Sequence, residues 1–174
     1  MKILILNGSP RKGNTETAIQ ALMKGISSEH QVEVVDTHRL QIAPCKVCKA
    51  CENAKGCVDK DDSNMILDKI MEADMLIFAS PIYWFNISAQ LKLVIDKFYA
   101  RYKNFTEKKT GCIIIGAEAV THPSYRLIME QFQCMEEYLG WTSVFRASYS
   151  AWDAWELAEN QEALEELTKI GETL

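Results

Sequence analysis

Short, almost wholly apolar segments alternate with helical patterns along this chain, and that alternation limits the folds open to it more than any other feature. Candidate strands lie at Lys2–Leu6, Gln31–Asp36, Ala73–Ser80, Thr110–Gly116 and Thr142–Ala147. Three of them are near-continuous runs of Val, Ile, Leu and Phe, the pattern of parallel strands covered on both faces. Helical spacing fills the gaps, at Thr15–Ser27, Asp62–Glu72, Ile87–Tyr99, Ser124–Leu139 and Ala154–Leu174. Leu91, Val94, Ile95 and Phe98 form one apolar stripe. Ile128, Phe132, Met135 and Leu139 form another, closed by Gly140 as a C-terminal cap. Asp62 or Ser63 is placed to cap the second helix. Strand–helix alternation predicts a doubly wound α/β fold, a five-stranded parallel sheet between two helical layers. The 174 residues suit one domain, 1–174. Only residues 37–61 break the rhythm, as a long aperiodic insertion of the kind that usually carries function.

Charge and hydropathy exclude several classes. The net charge of −5 argues against a nucleic-acid partner. No apolar run approaches the ~18 residues needed to cross a bilayer, so no membrane association is expected. No signal peptide is expected in the first residues, and a cytoplasmic location is the expectation. The lysines at 46, 49, 55 and 60, and at 103, 108 and 109, read as solvated loops.

The first strand candidate runs into Asn7-Gly8-Ser9-Pro10-Arg11-Lys12-Gly13-Asn14-Thr15 and then a helix. Small residues over a helix N-terminus make an anion site, because loop amides and the helix dipole both favour negative charge. The loop nearly spells the nucleotide-binding G-x-x-x-x-G-K-[ST], but Asn14 stands where the lysine for the β- and γ-phosphates belongs. G-x-G-x-x-G and C-x5-R are both absent. The remaining donors, Ser9, Arg11, Asn14, Thr15 and backbone amides, suit a single terminal phosphate, with Arg11 able to hold it bidentately. An ordinary strand–helix connector is the competing reading. The third strand candidate ends in Pro81-Ile82-Tyr83-Trp84-Phe85-Asn86, three successive aromatics at a strand's carboxyl end. They would wall a planar ring or cap the core.

These segments together carry a resemblance. Gly-Ser-Pro-Arg-x-x-Gly-Asn-Thr, Ser-Pro-Ile-Tyr-Trp, and Ser88-x-x-Leu91-Lys92-x-x-x-Asp96 are similar to the motifs of the flavodoxin-fold FMN-dependent NAD(P)H oxidoreductases. The resemblance implies sheet order 2-1-3-4-5. It implies that Ser9, Arg11, Asn14 and Thr15 hold the FMN phosphate. Pro81, Ile82, Tyr83, Trp84 and Asn86 would hold the isoalloxazine, and Ala117 and Glu118 would close its other side. The segment Gly116–His122 departs from the glycine-rich version common in the family. The resemblance also implies a homodimer or homotetramer.

Cys45-x2-Cys48-x2-Cys51-x5-Cys57 is the second strong motif. Tight cysteine clusters in a cytosolic chain mean metal or redox chemistry more often than disulfides. The run is similar to the compact motif of the iron–sulfur flavoprotein branch, which implies a [4Fe–4S] cluster near FMN. The bacterial ferredoxin pattern differs in its last spacing. Free thiols and a four-thiolate zinc site stay open as alternatives. Cys112 and Cys134 are expected to be buried hydrophobes. The histidines at 30, 38 and 122 show no ligand spacing. Trp152 and Trp155 would pack a subunit contact, cover the flavin, or fill the core.

These readings converge on an enzyme that takes hydride from NADH or NADPH onto FMN and passes electrons to a small acceptor such as a quinone, a nitro or azo compound, or free flavin. No side-chain catalyst is assigned. A non-enzymatic carrier serving a redox-protein partner is the alternative. A thiol-based sensor is a third reading.

Overall fold

The computed structural model describes residues 1–105 and 107–174. Strands β1 (Lys2–Asn7), β2 (Gln31–Asp36), β3 (Met75–Tyr83), β5 (Lys109–Gly116) and β6 (Thr142–Ser150) form a parallel sheet in the order β2-β1-β3-β5-β6. That is the flavodoxin-like order expected, with a two-residue strand β4 (Asn86–Ile87) added as a hairpin on β3. The helices are α1 (Asn14–Gly25), α2 (Ser63–Glu72), α3 (Ala89–Asp96), α4 (Pro123–Leu139) and α5 (Gln161–Glu172).

Strand side chains alternate between two cores. Leu4, Leu6, Leu76, Phe78, Cys112 and Ile114 face α2, α3 and α4, packing on Ile66, Ile70, Leu91, Val94, Ile128 and Phe132. Ile3, Ile5, Met75, Ile77, Ile113 and Ile115 face α1 and α5, against Ile19, Leu22, Leu157 and Leu167. Burial on both faces explains why these strands read as unbroken apolar runs.

Several boundaries move for local reasons. The last helix starts at Gln161, where the Asn160 side chain accepts from Ala163 N at 3.1 Å. Trp155, at φ 71°, interrupts the chain before it. Helix α3 starts after Ser88, whose side chain accepts from Leu91 N at 3.3 Å, and passes into a 3-10 turn at Lys97–Ala100. At α2 the side chain of Asp62 makes no cap. Asp61 Oδ1 accepts from Ser63 N at 2.9 Å instead. Cys112 is buried as expected, but Cys134 is exposed. It stands two positions from Phe132, about 200° round the helix, and so on the outer face of α4. Residues 37–61 are irregular apart from 3-10 turns at Thr37–Arg39 and Ala50–Asn53. Among the described residues, no helix is long and apolar enough to cross a membrane.

Candidate functional site

The carboxyl ends of β1, β3, β5 and β6 surround a crevice of about 560 Å³. It is lined by Ser9, Arg11, Asn14 and Thr15 after β1, and by Pro81, Ile82 and Tyr83 at the end of β3. Ile115, Gly116 and Ala117 line it from β5, and Ala151, Trp152, Asp153 and Ala154 from beyond β6. The volume is that of a small-molecule or cofactor site. The crevice lies where strand order reverses, the place where open α/β sheets bind ligands.

The first loop is held rigidly from below. Gly8 N donates to Ala79 O at 2.7 Å. A Cβ on Gly8 would lie 2.8 Å from Ser88 Oγ, so only glycine lets this loop approach the next one. Asn7 Oδ1 accepts from Ser9 N at 3.0 Å, and Asn7 Nδ2 donates to Asp36 at 2.9 Å. Above this base α1 begins at Asn14, preceded by Gly13 as its N-cap, φ 154°, with no side-chain cap. A helix start of this kind leaves first-turn N–H groups that an anion could accept from. Arg11 is exposed, and among the described residues its guanidinium has no carboxylate within ion-pair distance. A free cation thus stands beside a free helix N-terminus.

Ser9 and Asn14 line the crevice but are already engaged. Ser9 Oγ donates to Arg11 O at 2.7 Å. Asn14 Nδ2 donates to Asp153 O at 2.8 Å, and Asn14 Oδ1 accepts from the buried Leu157 N at 3.1 Å. Asn14 therefore clips the segment 151–157 over the crevice. Glu156 completes that turn by accepting from Trp152 N and Asp153 N, at 2.6 and 2.9 Å. Asn14→Ala should cost about 2 kcal/mol, because a buried N–H loses its partner; urea melts of variant and parent test this. Spacing alone could not show this clip, since its two ends lie far apart in sequence.

The aromatic loop is a tight hairpin. Tyr83 pairs with Asn86, leaving Trp84 and Phe85 as the two turn residues, at φ 49° and 67°. Positive φ at both positions is what a two-residue hairpin of this hand needs, and Asn-Gly meets it without strain. Trp84 is 93 % exposed and Phe85 61 % exposed. Trp84, Asn86 and Glu118 do not line the crevice, whereas Pro81, Ile82, Tyr83 and Ala117 do. Left-handed non-glycine residues cost about 1 kcal/mol or more each. The double variant Trp84→Asn, Phe85→Gly should therefore melt a few degrees higher than the parent by calorimetry. An unchanged or lower melting temperature would show that the rings stabilise the tip.

On the opposite wall, Tyr125 Oη lies 2.9 Å from Glu118 O and 3.1 Å from Tyr149 O, pinning the strand ends of β5 and β6. The wall formed by residues 151–154 was not among the sequence-predicted binding residues. Only the exposed Trp152 hinted at it.

The cysteine loop lies apart, against the end of α3. Cys45, Cys48, Cys51 and Cys57 line one cavity of about 30 Å³, together with Val58, Asp59, Lys97 and Tyr99. Val47 and Lys49, at φ 52° and 57°, flank Cys48 and curl the loop. Burial, and then the neighbouring thiols of Cys48, Cys57 and Cys45, push the Cys51 thiol upward. Lys97 is 2 % exposed, with Nζ 3.5 Å from Cys57 Sγ and 2.8 Å from Asp59 Oδ2. Burial opposes its charge, but the Asp59 hydrogen bond and the charges of Cys57, Asp59 and Asp61 outweigh burial and hold its pKa above the usual lysine value. Among the described residues, no three His, Cys, Asp or Glu side chains are close enough to ligate a single metal ion.

Residues 1–156 match the family described as NADPH-dependent FMN reductase. This chain belongs to that family. An iron–sulfur flavoprotein of Methanosarcina thermophila is 40 % identical over 119 residues, 66 % of this chain and 62 % of the relative. Another, from Methanocaldococcus jannaschii, is 33 % identical over 121 residues, 67 % of this chain and 63 % of the relative. The chain thus spans less than two thirds of the length of these flavoproteins. Among solved structures, an NAD(P)H:quinone oxidoreductase from Methanothermobacter marburgensis superposes with a TM-score of 0.78 at 18 % identity, over 99 % of this chain and 98 % of that one. That likeness establishes the fold shared by this FMN reductase family member.

Proposed function

We propose that the crevice binds FMN and that the protein oxidises NADH or NADPH, delivering the electrons to a small acceptor such as a quinone, a nitro or azo compound, or free flavin. The observation that carries this reading is the juxtaposition of the unpaired Arg11 and the uncapped start of α1 at one end of a crevice whose other end is walled by Pro81, Ile82, Tyr83 and Ala117. The cation and the first-turn amides of α1 would grip a dianionic phosphate. The apolar wall and the backbone of β3 and β5 would orient a flat ring and exclude water from one face. Bound FMN would accept a hydride and release electrons singly or in pairs. The protein's own part is binding, orientation and shielding, and no side chain on the walls is needed to move a proton. Asn14 serves here by fixing the 151–157 segment.

For the cysteine loop the favoured reading is a [4Fe–4S] cluster held by Cys45, Cys48, Cys51 and Cys57. The donor set fits such a group. Four thiols surround one cavity, and a buried ammonium faces one of them. A zinc ion would need four sulfurs about 2.3 Å from one point, and no three donors here converge on a single ion. Cys45, Cys48, Cys51 and Cys57 would hold the cluster, which would supply one-electron transfer.

Anaerobic reconstitution followed by a visible spectrum tests both cofactors. Flavin bands after desalting, and turnover of NADH or NADPH with a quinone, are expected. A preparation that stays colourless after incubation with FMN would remove the enzyme reading. A flavin-loaded protein that turns over only with an added reductase would favour the carrier.

A further inference from the structure

Among the described residues, Lys97 is one of the largest fully buried side chains, and the rest of that group is apolar. It opens the 3-10 turn after α3, beside the apolar stripe that the sequence pattern picks out but not part of it. Its Nζ reaches three groups of the cysteine loop: Cys57 Sγ at 3.5 Å, Asp59 Oδ2 at 2.8 Å and Asp61 Oδ2 at 4.0 Å. Asp61 in turn accepts from Ala43 N and Ser63 N, both at 2.9 Å, which fastens the start of the loop to its end. Cys57 is clamped through its backbone. Its N–H donates to Asn64 Oδ1 at 2.9 Å, and its carbonyl accepts from Asn64 Nδ2 at 2.7 Å. Gly56 before it has φ 151°, and a Cβ there would lie 2.9 Å from Arg101 Nε. Cys57 is therefore held by a close frame and is half-buried, as is Cys51, while Cys45 and Cys48 are exposed.

Burying an ammonium is costly unless it is paired, and Asp59 supplies one pairing. An ion pair on its own would not need the thiol. Here the cation bridges the carboxylate and the sulfur, in a place where screening by water is weak and a unit charge acts strongly on its neighbours.

Resting on the cluster reading above, we propose that Lys97 sets the reduction potential of the group held by the cysteine loop, with its ammonium favouring the reduced form and Asp59 opposing it. When the cluster takes one electron its charge becomes more negative by one unit. The electron comes from the reduced flavin and ultimately from the nicotinamide. Lys97 keeps its protons throughout and forms no bond to iron. It is a positioning and electrostatic residue, acting through Cys57.

The test compares the full chain with Lys97→Met, Lys97→Arg and Asp59→Asn, each reconstituted with iron and sulfide under anaerobic conditions. Iron content and visible spectrum report loading, and an electron-paramagnetic-resonance redox titration reports the midpoint. Lys97→Met should shift the one-electron equilibrium toward the oxidised form by about tenfold, ~59 mV lower. Asp59→Asn should move it the other way, and Lys97→Arg should stay near the parent. Equal midpoints in loaded parent and Lys97→Met would overturn the proposal. So would a shift of Lys97→Met and Asp59→Asn in the same direction, which marks a general disturbance of the loop. If Lys97→Met takes up no iron, Asp59→Asn decides, and an unmoved midpoint there refutes the assignment. A parent chain that binds FMN but no iron or sulfide removes the cluster reading and this proposal together, leaving the flavin site standing.

Discussion

Gly25→Ala is expected to lower the melting temperature by about 6–12 °C, from a loss of about 3 kcal/mol at 2–4 °C per kcal/mol for a chain of this size. Gly25 ends α1, where α1 and α5 cross. A methyl group there would be driven into the carbonyl oxygen of Thr168, and would lie 2.9 Å from Glu172 N. The contact is mutual. A Cβ on Gly171 would strike Leu22 O and lie 3.0 Å from Gly25 Cα. Overpacking a core typically costs 1–3 kcal/mol when side chains can yield. Here the obstructing atoms are backbone, so the upper end applies, and Gly171→Ala should behave alike. The exposed neighbour Lys24→Ala provides the control. Because the crevice lies at the opposite end of α1, FMN affinity measured well below the melting point should not change. A variant within a degree or so of the parent would mean that the two helices are not in backbone contact.

Arg11→Ala should weaken FMN binding by tenfold or more, since hydrogen bonds to charged groups contribute ~1.5–3 kcal/mol. Riboflavin lacks the phosphate, so its affinity should be the same for parent and variant. That contrast separates loss of a phosphate partner from distortion of the crevice. The side chain is exposed and carries no ion pair among the described residues, so its removal should leave the melting temperature of the ligand-free protein unchanged. Titration by flavin fluorescence measures both ligands. Equal FMN affinity would place the phosphate elsewhere and leave the uncapped start of α1 without a ligand.

The site was legible in proportion to how local its chemistry is. The loop proposed to hold the phosphate is one continuous run, Asn7 to Thr15, from the end of a strand into the start of a helix, and its donors could be read directly. The structure changes their division of labour. Arg11 stays free, whereas the Asn14 side chain is spent on Asp153 and Leu157. The hairpin at Trp84-Phe85 was hidden because its turn positions hold two aromatics instead of Asn-Gly, so no turn signal marked it. The sequence predicts the last helix from Ala154, seven residues early, because Ala154 to Asn160 hold a composition compatible with helix. Trp155 leaves the helical region, and Asn160 provides a later cap.

Hydrophobic periodicity along the chain was enough to determine the five main strands and the five helices, the three layers and the burial of the central strands. Each of these depends on neighbours a few residues away. Sequence spacing likewise set apart the four cysteines and the loop proposed to hold an anion. Tertiary structure alone decided that Lys97 ends against Cys57, that residues 151–154 form the fourth wall of the crevice, and that α1 and α5 meet backbone to backbone through two glycines. Those contacts join residues from 40 to about 145 positions apart. They arise from how the layers stack, which no local pattern records.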